Sequence, residues 1–211
     1  MRIGYRFELR SVTKPWLNVL AVIISTIAAF LISGLLIRSM NANVFAAFKG
    51  LFNGSIGSKY AILESLVQAT PLIFTGLAMV VSMRSRFINL GVEGQFVLGA
   101  IAATWLSLTF TDLPGPIMIL FLIFIGAAAG ALYAFIPAFL RAKYGISEII
   151  VTVMMNYIVV YFLSWLLNNP WRPPGDFIPQ TIRFAENSHW PQFFSSRLNL
   201  GLPITLLLAV A

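Results

Sequence analysis

Apolar residues in this chain come in long unbroken blocks, not in the alternating or three-to-four-residue stripes of a water-soluble protein. Windows without a charged residue mark six blocks: Pro15–Ile37, Ser65–Met83, Gly94–Thr111, Pro116–Leu140, Ile149–Asn169 and Leu198–Ala211. A helix rises about 1.5 Å per residue, so about 18 or more apolar residues reach across roughly 30 Å of hydrocarbon. The first five blocks are predicted to cross a membrane as helices. The sixth is shorter and ends without a charge, a glycine cap or an interfacial anchor, which predicts a helix in which the chain stops. The expected fold is all-α: a polytopic transmembrane helix bundle with about five complete spans plus a truncated sixth, in a single transmembrane domain over residues 1–211.

Composition supports that reading. Hydrophobic residues make up 59% of the chain and charged residues only 10%, whereas a soluble domain carries about 25% charged residues. The net charge of +7 is spread between apolar runs, as short cytoplasmic loops require, and does not indicate nucleic-acid binding. The absence of cysteine excludes disulfides and thiolate metal sites. His189 lies in a polar loop without the partners a metal would need. The basic leader Arg2, Arg6, Arg10 and Lys14 suits a signal peptide, but the apolar region after it is too long and no small-x-small cleavage site follows. The first block is therefore expected to be retained.

Lysine and arginine set the orientation. With the N-terminus inside, the inner segments hold Arg2, Arg6, Arg10, Lys14, Arg84, Arg86, Arg141 and Lys143; the outer segments hold Arg38, Lys49, Lys59, Arg172, Arg183 and Arg197. The inner set sits in a short leader and two short loops. The outer set is diluted over residues 38–64 and 169–200, which favours a cytoplasmic N-terminus. Pro170, Pro173, Pro174, Pro179 and Pro191 among Trp171, Trp190 and Phe193 predict a structured outer loop near the membrane surface. Gly126, Gly130, Ala134 and Ala138 recur every fourth residue and predict a smooth face for close helix packing, with lining of a path as the other reading. Pro71 is expected to bend the second span.

Three polar groups near the apolar blocks call for a reason, because polar side chains in a membrane are costly. Arg84-Ser-Arg86-Phe-Ile-Asn89-Leu-Gly91-Val-Glu93-Gly94-Gln95 separates two spans. It reads either as an ordinary turn, broken at Asn89 or Gly91 with Glu93 at a helix start, or as a re-entrant segment burying Glu93 and Gln95. Glu64 and Gln68 share a face of the second span, either as a helix-start carboxylate and its neighbour or as a polar strip along a path. Arg141, Lys143, Tyr144, Gly145, Ile146, Ser147 and Glu148 form a basic elbow, after which Glu148, Thr152 and Asn156 share one helix face. That group is either a capped re-entry into the membrane, with Gly145 or Ser147 capping, or a docking surface for a cytoplasmic subunit. Phosphate-loop, zinc-protease, nucleophile-elbow and potassium-filter motifs are all missing. Every carboxylate lies at a span end or in a loop, which argues against a gradient-driven transporter.

Three stretches carry a resemblance: Ala69-Thr-Pro71-Leu-Ile-Phe-Thr-Gly76-Leu-Ala, Asn89-Leu-Gly91-Val-Glu93-Gly94-Gln95-Phe-Val-Leu-Gly99-Ala100, and Gly145-Ile-Ser-Glu148-Ile-Ile-Val-Thr152-Val-Met-Met-Asn156-Tyr157. In order and spacing from about Glu64 to Tyr157 the chain resembles permease subunits of ATP-binding-cassette importers. The nearest branch is the basic-membrane-protein-associated one that imports nucleosides, related to ribose, other simple-sugar and branched-chain amino-acid permeases. The resemblance implies alternating access in a membrane-spanning subunit that is not itself an enzyme and holds no cofactor. ATP and magnesium would belong to a partner ATPase, a second permease subunit would complete the pathway, and an extracytoplasmic solute-binding protein would deliver solute to the 169–200 loop. It implies that Arg141–Glu148 couples to the ATPase. Asn89, Gly91, Glu93, Gly94, Gln95 and Asn156 become signature positions at the core of the permease or on its pathway. A bacterial or archaeal cytoplasmic membrane is the implied location. Members of the family continue with further membrane helices, so this chain is expected to be the N-terminal portion of a longer domain, and a non-transporting scaffold is the rival reading.

Overall fold

The computed structural model describes residues 15–192 and 197–210. The elements are α1 (Pro15–Ser39), α2 (Val44–Ile56), α3 (Lys59–Arg84), α4 (Val92–Thr109), α5 (Gly115–Tyr144), α6 (Glu148–Asn168), a single 3-10 turn at Glu186–Ser188, and α7 (Gly201–Val210). Among the described residues, five helices are long and apolar enough to cross a membrane: Val19–Ser39 within α1, then α3, α4, α5 and α6. The only pairing of extended backbone among the described residues is an isolated bridge between Gln192 and Asn199. Leu35, Leu72, Leu132 and Tyr161 are each 70% exposed or more. Water would penalise such surface at about 25 cal/mol per Å², whereas acyl chains solvate it without cost. The all-α, multi-pass membrane architecture stands as the apolar blocks predict.

The helix ends depart from the blocks in four places, each for a local reason. The expected outer segment 38–64 is mostly helical. Asn41, with φ 56°, closes α1 in the left-handed region, where its short polar side chain is tolerated. Asn43 then caps α2, its side chain accepting from the Ala46 amide at 3.1 Å. Ser58 caps α3, accepting from the Ala61 amide at 3.0 Å. The helix thus starts well before the predicted Ser65, and Glu64 lies inside it. At the far end α3 stops at Arg84, earlier than a break at Asn89 or Gly91 would give. Phe87 N–H reaches the Ser82 carbonyl and Arg86 N–H the Met83 carbonyl, a Schellman closure with Arg86 itself at φ 55°. Lastly, α5 runs past Leu140 to Tyr144, because Arg141 and Lys143 favour the negative end of a helix dipole and Gly145 supplies the left-handed C-cap at φ 66°.

The chain divides into two compact units, Met1–Ala61 and Ile62–Ala211. In the first, α2 folds against α1 where Gly34 leaves room: a Cβ there would sit 3.4 Å from Val44, and Phe30 meets Phe48 edge-on at 5.5 Å.

The second unit is organised around α4, which packs most closely on α5 and next on α6. The α4–α5 pair is antiparallel and glycine-mediated. A Cβ on Gly99 would fall 2.8 Å from the Gly126 carbonyl, and one on Gly130 would fall 3.2 Å from the Gln95 carbonyl. Gly126 and Gly130 of the predicted small-residue face therefore serve helix packing, whereas Ala138 is exposed. Ile101, Val159 and Leu166 form the core, with Leu98, Tyr133, Leu163 and Trp171 packed on it. Tyr133 Oη donates to the Met155 carbonyl at 2.8 Å and ties α5 to α6.

The loop after α6 is anchored at one end of this unit. Asn187 Nδ2 donates to the Thr111 and Leu113 carbonyls, each at 2.7 Å, and Ser107 Oγ donates to Ser188 Oγ at 2.7 Å. Arg197 pairs with Glu64. Leu198 is buried and Asn199 Oδ1 accepts from the Gly201 amide at 2.9 Å, leading into α7. The opposite end gathers the α3–α4 turn and the α5–α6 connection.

Candidate functional site

At that opposite end the two most distinctive stretches of the sequence come together. The basic elbow is shorter than its charge pattern suggests. Arg141, Lys143 and Tyr144 belong to the last turn of α5, Gly145-Ile146-Ser147 is the whole connection, and Glu148 opens α6. Gly145 caps α5, and Ser147 occupies the N-cap position of α6 without a side-chain capping bond. Lys143, Tyr144, Gly145, Ile146 and Ser147 are exposed. Lys143 Nζ lies 5.3 Å from the Phe139 ring centroid and 5.4 Å from that of Tyr144. Both cation–aromatic contacts lie within the last turns of α5.

Arg141 and Glu148 play a different part from the tip between them. They pair with each other across the base of the connection. The Arg141 guanidinium also lies over the Phe87 ring, 5.5 Å from its centroid, and Glu148 Oε1 accepts from the Ile88 amide at 3.4 Å. The pair fastens the α5–α6 connection to the turn that follows α3.

The face shared by Glu148, Thr152 and Asn156 continues this seam along α6. Thr152 is buried, its hydroxyl donating to the Glu148 carbonyl at 2.7 Å, and a Cβ on Gly91 would meet Thr152 Cβ at 3.0 Å. One helical turn on, Asn156 spans the interface with both halves of its amide. Its Nδ2 donates to the Leu90 carbonyl at 2.8 Å, and its Oδ1 accepts from the Gly94 amide at 2.9 Å. The helix face read from spacing alone is real, and it is directed at the signature turn.

Within the turn, Asn89 is buried and satisfied locally. Its Oδ1 accepts from the Gly91 amide at 3.0 Å and from Gln95 Nε2 at 3.1 Å, and its Nδ2 donates to Gln95 Oε1 at 3.2 Å. This reciprocal amide pair holds Gln95 half-buried. Glu93 is exposed in the first turn of α4, where the helix dipole favours a carboxylate. Of the two readings of this stretch, the ordinary turn describes Glu93. Gly94 is required by proximity, since a Cβ there would lie 2.6 Å from Asn156 Oδ1.

A cavity of about 540 Å³ opens immediately beyond. Gln95, Phe96 and Gly99 of α4 line it with Phe74 and Thr75 of α3 and Leu122 and Ile123 of α5. Gln68, offered from sequence as part of a polar strip, is exposed, while Glu64 is engaged by Arg197 at the other end. No cluster of metal-ligating side chains occurs among the described residues, and His189 is exposed.

Sequence reasoning included Arg86, Phe87 and Ile88 in the polar stretch between two spans but gave none of them a contact or role. Arg86 carried a signal only as a charge, and its positive φ is invisible in a sequence. The pairing of Asn156 with Leu90 and Gly94 bridges 66 and 62 positions, beyond the reach of any local pattern.

The sequence was compared with known proteins. Residues 61–211 match the family described as branched-chain amino acid transport system / permease component. The glucose ABC transporter permease protein TsgB13 of Haloferax volcanii is 30% identical over 191 residues, covering 90% of this chain and 50% of that protein. The nucleoside ABC transporter permease protein NupB of Lactococcus lactis is 32% identical over 202 residues, covering 92% of this chain and 56% of the relative. The guanosine ABC transporter permease protein NupP of Bacillus subtilis is 33% identical over 199 residues with the same two coverages, 92% and 56%. The chain thus spans about half the length of these relatives. No solved structure matches it. With five membrane-length helices and a family match over most of its length, the chain belongs to the branched-chain amino acid transport system / permease component family.

Proposed function

We propose that this chain is part of the membrane-spanning permease subunit of an ATP-binding-cassette importer that moves nucleosides by alternating access. One observation carries the reading. At the end of the second unit rich in Arg84, Arg86, Arg141 and Lys143, the tip Lys143–Ser147 stands exposed on a braced base. Basic residues gather on cytoplasmic ends, so this end faces the cytosol, the N-terminus lies on the same side, and the tip is where a separate ATPase subunit binds. ATP and magnesium reside on that subunit. A second permease subunit completes the pathway, and an extracytoplasmic solute-binding protein docks on the 169–200 loop, in a bacterial or archaeal cytoplasmic membrane. Two relatives named for nucleoside or guanosine transport support the solute class. The glucose-permease relative supports a sugar as the second reading.

The test reconstitutes the chain with its ATPase, second permease subunit and binding protein in liposomes and offers radiolabelled guanosine with and without excess unlabelled glucose, and radiolabelled glucose alone. Guanosine uptake that depends on ATP and is not diluted by glucose is expected. Uptake of glucose alone would replace the solute, and co-purification of no ATPase would overturn the function. Ile146→Asp, at the exposed tip, is expected to abolish ATPase capture without loss of folded permease. Normal capture by that variant would remove the tip from the contact.

A further inference from the structure

An α-helix begins with four amide N–H groups that lack intrahelical partners, and a Ser, Thr, Asp or Asn at the N-cap supplies an acceptor oxygen for one of them. Helix α4 has no such residue: its N-cap is Gly91, which makes no side-chain bond. A side chain there is crowded, because a Cβ at Gly91 would press on Thr152 at 3.0 Å. The capping group comes instead from another helix. Asn156 Oδ1 takes the Gly94 amide, the bond a local cap would make at the third helical position, and Asn156 Nδ2 holds the Leu90 carbonyl just before the helix. An asparagine is the residue the geometry accepts. Aspartate lacks the donor, leucine lacks both groups, and glutamine adds a methylene at a contact already so close that a Cβ on Gly94 would fall 2.6 Å from Asn156 Oδ1.

We infer that Asn156 is a positioning residue that makes the start of α4 and the α5–α6 connection move as one body, delivering displacement of the exposed tip to the wall of the 540 Å³ cavity. The inference deepens the proposed function and rests on its reading of that tip as the ATPase contact. Three contacts in succession join α6 to the turn: Glu148 to Ile88, Thr152 to Gly91, and Asn156 to Leu90 and Gly94. The first of them also holds Arg141, so the two sides of the α5–α6 connection are tied to the same turn. Gln95, one position beyond Gly94, is fixed by Asn89 and lines the cavity. Movement of α6 is therefore handed to a cavity-lining side chain through bonds whose partners have no local substitute.

Two measurements test this. In proteoliposomes containing the ATPase, the second permease subunit and the binding protein, Asn156→Ala is expected to capture ATPase as the parent does, while guanosine taken up per ATP hydrolysed falls by about tenfold. Asn156→Asp, which keeps the acceptor for Gly94, is expected to restore part of that ratio. An unchanged ratio in Asn156→Ala would overturn the inference, because a merely structural residue would lower capture, hydrolysis and uptake together. The second measurement needs no transport. Spin labels on Glu93→Cys and Ile150→Cys, both exposed, report the α4–α6 distance. A single narrow distance, unaltered between nucleotide-free and ATP-trapped states, is expected in the parent, with broadening in Asn156→Ala. A shift of about 5 Å or more between states in the parent, one helical turn, would show the helices moving apart and end the proposal. If the parent captures no ATPase, the function reading fails by itself. The distance in the permease alone, narrow in the parent and broad in Asn156→Ala, still decides whether Asn156 unites the two helices, and an equally narrow distance in both overturns that.

Discussion

Glycines at the α4–α5 contact let two helix backbones approach closely. Gly99 faces the Gly126 backbone so closely that an added methyl would sit 2.8 Å from a carbonyl oxygen. Backbone cannot turn aside as a flexible side chain can, so the helices must separate. Gly99→Ala is expected to destabilise the folded protein by about 1–3 kcal/mol, the usual range for overpacking, read as a lower midpoint of thermal unfolding in detergent. Gly50→Ala is the control: nothing lies within 4 Å of its Cβ and the helix gains from alanine, so its midpoint should not fall. Equal losses in the two variants would discard the close-contact explanation. The sequence displayed the four-residue spacing of Gly126 and Gly130 but not Gly99 as their counterpart. A close approach is a property of two helices, and only one of them shows a repeat.

Among helices, the ends carry the information. The α3 stop places Arg86 in a left-handed conformation that costs a non-glycine residue about 1–2 kcal/mol. Arg86→Gly is expected to stabilise the fold by up to about 1 kcal/mol, after allowance for glycine's larger unfolded-state entropy. A chemical-denaturation midpoint that drops would contradict the conformation assigned here. At the other end, Asn187 is the clasp of the loop after α6. Asn187→Ala removes two bonds to the Thr111 and Leu113 carbonyls and is expected to cost about 1–3 kcal/mol. Hydrogen exchange should accelerate in residues 185–190 and 110–115 while the α4 and α6 interiors remain protected. Unchanged exchange would mean that the clasp does not hold the loop. Charge-free windows found the five spans because a bilayer imposes length and apolarity together. They missed α2, whose 13 residues are too few to cross and whose Lys49 interrupts the charge-free run, although Asn43 before Val44-Phe-Ala-Ala-Phe was a readable cap. They also cut α5 short at its first charge, where the helix dipole in fact welcomes arginine and lysine.

For the molecule as a whole, the contacts of the second unit sort its connections onto two ends. Phe87, Ile88, Arg141 and Glu148 meet at one. Thr111, Leu113 and Asn187, and separately Glu64 and Arg197, meet at the other. Lysine and arginine density alone had grouped the α3–α4 turn with the α5–α6 connection, and these two do meet at one end of the second unit. The partnership of the α3–α4 turn with α6 was not readable, since helix spacing identifies a face but never what it faces. The account as a whole depends on which side of the membrane the basic end occupies. The chain contains no cysteine, so single cysteines can be introduced without background. The most direct measurement labels Ile146→Cys and Phe177→Cys separately in intact cells with a membrane-impermeant maleimide. Phe177, 94% exposed in the loop after α6, should react from outside, and Ile146 should react only after permeabilisation. Labelling of Ile146 from outside in sealed cells would place the tip away from any ATPase and contradict the account.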